Sequence, residues 1–238
     1  MQKLVLRVLM LSAVLLTAGV LMGMKPADNG YWDRWLNDFS GNDDETRALA
    51  VNEGELEFLK KAPEKTPHLL QNKFIISNQS LKDGWVQMVQ CHENLDPVAI
   101  AQILYHKGRT RNLKVLSNPG IGRAWVEKNS VQLENISHGA RLCVQAEVHA
   151  LYPNFNGSYS MHNGPFLRKF LDGYYPMHVT MDVKLPGDKL SFEAIQPQEQ
   201  AGFSVSHSRN HMKVDALFVG ELSIEVFFDE REAESQTD

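Results

Sequence analysis

Three regimes of hydrophobic patterning follow one another along this chain. From Leu4 to Met24 the residues are almost continuously apolar, with Lys3 and Arg7 at the start. A basic start followed by an apolar run is the layout of a secretory signal peptide or membrane anchor, so residues 1–24 take that role. Thr17-Ala18-Gly19 supplies small residues for cleavage, yet the run is also long enough to remain in the bilayer. Uncleaved, residues 4–24 would associate the protein with a membrane; cleaved, they would leave it free and secreted.

The second regime, residues 25–52, is a linker and a short amphipathic helix. Trp32, Trp35, Leu36 and Phe39 fall at the spacing of one helical face. Asp33 and Asp38 make the other face acidic, which favours packing on a protein over lying on anionic lipid.

From Glu53 the period becomes two. Leu56 and Phe58 alternate with Glu55 and Glu57, and Leu142, Val144, Ala146 and Val148 alternate with Cys143, Gln145, Glu147 and His149. Met177, Val179, Met181 and Val183 share one face of a strand, opposite His178, Thr180, Asp182 and Lys184. Short runs of this kind, with Gly, Pro and Asn between them, predict a mainly β fold. The expected architecture is an antiparallel β-sandwich-like domain over residues 53–228, with sub-sheets at 53–152 and 174–228.

One or two short helices should interrupt the strands. Asp96-Pro97 resembles a helix start, although Val98 to Tyr105 reads equally as a buried strand. Phe166, Leu167, Phe170 and Leu171 fall on one helical face after Asn163-Gly164-Pro165. Residues 229–238 are acidic and lack apolar groups, as a disordered tail would.

Charge and cysteine content then narrow the function. The formal net charge is −5, hence −7 without Lys3 and Arg7, which disfavours nucleic acid as a partner. Cys91 and Cys143 are the only cysteines; behind an export signal they predict a disulfide bond. His92 beside Cys91 would point to the opposite face of a strand, which argues against a Cys–His nucleophile.

Candidate chemistry is sparse. His207 and His211 flank Ser208-Arg209-Asn210, and a three-residue hairpin loop there would face the two imidazoles across the ladder. With a third ligand they could hold Zn or Cu; two exposed histidines of a hairpin would look the same, and no cofactor is otherwise expected. Lys107, Arg109, Arg111 and Lys114 form one concentrated basic stretch, a candidate contact for an acidic envelope protein, a glycan or a lipid head group.

No nucleophile elbow, phosphate loop or zinc-protease helix occurs, so no catalytic residue can be named. The pattern fits an exported protein of the cell envelope with a non-catalytic binding or assembly role, in the periplasm or anchored to the inner membrane and facing it. The alternatives are an extracytoplasmic hydrolase using Asp, Glu or His in a β-fold cleft, and a metal-binding hairpin protein.

Overall fold

A computed structural model describes residues 55–231 other than 156, 171, 172 and 188. The leader, the helix expected around Trp32–Phe39 and residues 232–238 of the expected tail lie outside the described residues.

The fold is mainly β, built of several sheets in which nearly all pairings are antiparallel. The largest sheet runs in the order β1 (Glu57–Phe58), β16 (His211–Val219), β13 (Met177–Lys184), β2 (His68–Ile75), β3 (Trp85–Glu93), β8 (Arg141–His149) and β5 (Thr110–Ser117). Strand β15 (Phe203–Ser208) also pairs with β16, and β13 with β2 is the one parallel pair in this sheet. A second sheet orders β14 (Leu190–Gln196), β17 (Leu222–Glu230), β10 (Tyr159–Phe166) and β9 (Leu151–Pro153). A third holds β4 (Ile100–Leu104), β7 (Ser130–Ile136) and β6 (Ile121–Glu127), and β11 (Lys169–Phe170) pairs with β12 (Gly173–Tyr174).

Alternation sets the core. Met177, Val179, Met181 and Val183 of β13 are buried, as are Met212, Val214, Ala216 and Phe218 of β16. In β17 the buried set is Leu222, Ile224, Val226 and Phe228. These faces belong to one hydrophobic cluster, an arrangement consistent with a sandwich. The largest sheet draws strands from both 53–152 and 174–228, so the two stretches do not form separate sheets.

Of the two segments, the one left open between helix and strand is a strand, and the one expected as a helix is not helical among the described residues. Val98–Tyr105 contains strand β4, which pairs with β7 from Ile100 opposite Glu134 to Leu104 opposite Ser130. Phe166 ends strand β10 rather than opening a helix: after a register shift at Gly164-Pro165 it lies opposite Leu222, and cross-strand pairing overrides the local spacing. The one helix among the described residues is a single turn, α1 (Ser80–Asp83). Gly84 closes it in the left-handed conformation. Strand β17 also runs to Glu230, so Asp229 and Glu230 are paired rather than part of a free tail.

Candidate functional site

The inward face of the largest sheet is apolar except at one end. There the inward positions of β2 and β3 are His68, Leu70, Asn72, Gln90 and His92, all but Leu70 polar, and Tyr105, just after β4, reaches them from the third sheet. Asn72, Gln90, His92 and Tyr105 are buried. Gln90 donates through Nε2 to Asn72 Oδ1 at 2.8 Å, and its Oε1 accepts the Tyr105 hydroxyl at 2.8 Å. The same oxygen lies 3.1 Å from His92 Nε2, which must therefore carry the proton and donate. His92 Nδ1 is then the acceptor for His68 Nε2–H, 3.1 Å away.

Burial holds both imidazoles neutral. It lowers the His68 pKa to about 4, helped by Arg168 and opposed by Asp96. Burial, with His68 alongside, depresses His92 well below the ordinary histidine value. Burial also raises the Tyr105 hydroxyl, which stays protonated. Arg168 grips Asp96 through Nε at 3.1 Å and Nη2 at 2.6 Å, and donates to the Pro176 carbonyl at 3.4 Å. Asn72 Nδ2 is the one buried atom of this network without a hydrogen-bond partner. The hydrogen bonds of the network tie β2 and β3 to each other and to the end of β4.

A second cluster lies on the outward side of β10 and β17. His162 stands opposite Glu225 in register, its Nε2 3.3 Å from Glu225 Oε1 and 3.2 Å from Ser160 Oγ. Tyr152 packs edge-on against both His162 and His149. Burial lowers His162 to about 4, with Arg109 contributing, and raises Glu225. A Ser–His–carboxylate relay needs the serine on one ring nitrogen and the carboxylate on the other. Here both meet Nε2, so these three side chains are not arranged as such a relay.

The residues singled out from the sequence are placed as follows. Cys91 and Cys143 are joined by a disulfide between directly opposed positions of β3 and β8, with Cα atoms 4.1 Å apart. His207 lies opposite Met212, whereas His211 lies opposite Ser208. The loop is thus one residue shorter than expected, and that slip puts the two imidazoles on opposite faces. His207 stacks on Phe192 and His211 meets Asp182. Among the described residues no three His, Cys, Asp or Glu side chains cluster as a metal site requires.

Arg111 pairs with Glu147 and covers the ring of Trp85 at 4.0 Å, Arg109 acts on His162, and Lys107 and Lys114 are exposed.

Sequence reasoning missed the His68–Tyr105 network. Its signal was there: Asn72, Gln90 and His92 are polar residues at positions whose parity faces the core.

Outside these clusters, Phe155 in the loop after β9 is fully exposed, and apolar surface is also bared along the edge strand β4. Ile100 is 74% exposed and Val98 36%. Pro97 to Tyr105 contains no charged residue. No protein-family model matches the chain and no curated protein is found similar to it.

Proposed function

We propose that this chain is a non-catalytic binding or assembly protein that works in an oxidising compartment outside the cytoplasm. The disulfide and the leader-like residues 1–24 support the compartment. The role is carried by one observation, the uncharged edge strand β4 with Ile100 exposed. Natural sheets protect their edges, and an unprotected one is a template for another strand. The two polar clusters support the same reading, because most of their hydrogen-bonding groups meet one another.

The test is site-specific photo-cross-linking in the native host. A photoreactive residue at position 100 should give a discrete adduct, and one at Lys213, on the outward face of β16, should not. Equal labelling from both positions, or none from position 100, would overturn the reading.

A further inference from the structure

Resting on that reading of β4 as the contact edge, we infer that its partner is a second copy of this chain, added antiparallel across β4 about a two-fold axis at Gln102. The first ground is the direction of the backbone groups. Asn135 N–H donates to the Ala99 carbonyl at 2.8 Å, and Tyr105 N–H to the Asn129 carbonyl at 2.9 Å. In an antiparallel ladder the residues that bond to the neighbour alternate, so Ala101 and Ile103 bond to β7. The N–H and C=O groups of Ile100, Gln102 and Leu104 therefore point off the sheet, and among the described residues no backbone group meets them.

The second ground is contrast with the other edges. Strand β5 carries Arg111 and Lys114 and two register shifts. Strand β6 carries Arg123 and Glu127, and β14 carries Glu193 beside a register shift. Strand β9 is three residues long and ends at Pro153, and β1 has two residues. On β15 the Glu199 carboxylate accepts the Val205 N–H at 3.2 Å. Each is a recognised way of blocking strand addition, and β4 has none of them.

The third ground is self-complementarity. A two-fold at Gln102 sets Ile100 opposite Leu104 of the second copy and Gln102 opposite its own equivalent. Antiparallel pairing keeps opposed side chains on the same face, so Ile100 is covered by leucine and the glutamines can pair. The three outward-pointing residues exchange about six main-chain hydrogen bonds with their counterparts. No like charges meet, because Pro97 to Tyr105 contains none. The third sheet continues into its copy as one six-stranded sheet, β6-β7-β4 followed by β4-β7-β6, and the isologous contact closes without forming fibres.

The experiment is sedimentation of the whole protein, kept oxidised, over a range of concentrations, with three variants. Wild type should shift from monomer to dimer as concentration rises, as a small interface does. Gln102→Lys should remain monomeric with an unchanged urea midpoint, since it sets two ammonium groups face to face on an exposed edge. Gln102→Cys should give a dimer on non-reducing gels, because opposed Cα atoms in such a pair lie about 5.5 Å apart, within disulfide range. Gln132→Cys, one strand further in, should not. A monomer at every concentration, a dimer undisturbed by Gln102→Lys, or equal cross-linking from position 132 would overturn the inference. A monomer that still cross-links from position 100 to a different protein overturns the second copy and leaves the binding reading standing. A monomer silent at position 100 removes both.

Discussion

His68 and His92 meet ring to ring inside the fold, Nε2 of one 3.1 Å from Nδ1 of the other, and the contact works only while His92 is neutral. His92 must donate to Gln90 through Nε2, so its Nδ1 has to stay unprotonated to receive the His68 N–H. A proton on His92 would set two N–H groups against each other in a buried site.

Stability should therefore fall steeply as the pH drops below about 6.5. A histidine whose folded pKa is depressed binds fewer protons folded than unfolded. Unfolding then takes up protons between the unfolded value and the folded one. For His68 and His162 that window runs from 6.5 down to about 4, and His92 adds to it in the same direction. The contribution is fully present above 6.5 and is lost as the pH falls. Each histidine contributes a slope approaching about 1.4 kcal/mol per pH unit within the window. Urea unfolding at pH 7.5, 6, 5 and 4.5 should show the loss, and His68→Gln should remove about a third of the slope. An unchanged slope in that variant would contradict the neutral pair.

Reduction should cost more than the small size of the bridge suggests. The disulfide joins residues 52 apart in the chain, and constraining a loop of that length in the unfolded state stabilises the protein by about 4 kcal/mol on the entropy model. Because Cys91 and Cys143 are already opposed by the β3–β8 ladder, the folded state needs the bond little for its geometry. Urea unfolding with and without a thiol reductant should show a much lower midpoint in the reduced protein, with folded-state circular dichroism unchanged.

How legible this was depended on whether a feature was local. The faces of β13 could be read from Met177, Val179, Met181 and Val183 because burial follows a period of two. Residues 98–105 fit a buried helix or a strand equally, since every position but Gln102 is hydrophobic. Phe166 was read as helical because its pairing with Leu222 lies 56 positions away in the chain. The error at His207 and His211 was one residue of loop length, enough to exchange faces. The polar network was half legible. Parity marked Asn72, Gln90 and His92, but nothing local says that Tyr105 and Arg168 arrive beside them.

Gly84→Ala should destabilise the fold by about 2–4 kcal/mol, the left-handed backbone and a steric clash acting together. Gly84 has φ of 74°, and a Cβ there would lie 2.6 Å from the Leu151 carbonyl and 2.7 Å from His149 Nε2. Its own carbonyl accepts from the N–H groups of Ala150 and Leu151, so the main chain cannot easily retreat. Thermal unfolding would measure the cost. Gly108, whose φ is 82° but where nothing lies within 4 Å, should lose only the conformational part on the same change, and the difference between the two isolates the clash.

The Asp96–Arg168 pair should couple to His68 in opposite senses. Asp96 precedes β4 and Arg168 follows β10, so the pair ties two distant segments together with two-pronged geometry. The Arg168 side chain is only 10% exposed, so Asp96→Asn, which leaves its charge without the carboxylate, should cost about 2 kcal/mol. A double-mutant cycle with Arg168→Met should return a coupling of about 1–3 kcal/mol. The His68 titration supplies the sharper reading. Asp96 raises that pKa and Arg168 lowers it. Asp96→Asn should therefore depress His68 further below about 4, and Arg168→Met should lift it toward the ordinary value, as followed by the imidazole proton resonance. A pair that merely staples the loop would change stability in both variants and leave the titration where it was; opposite displacements would place the pair in the electrostatic surroundings of the histidines.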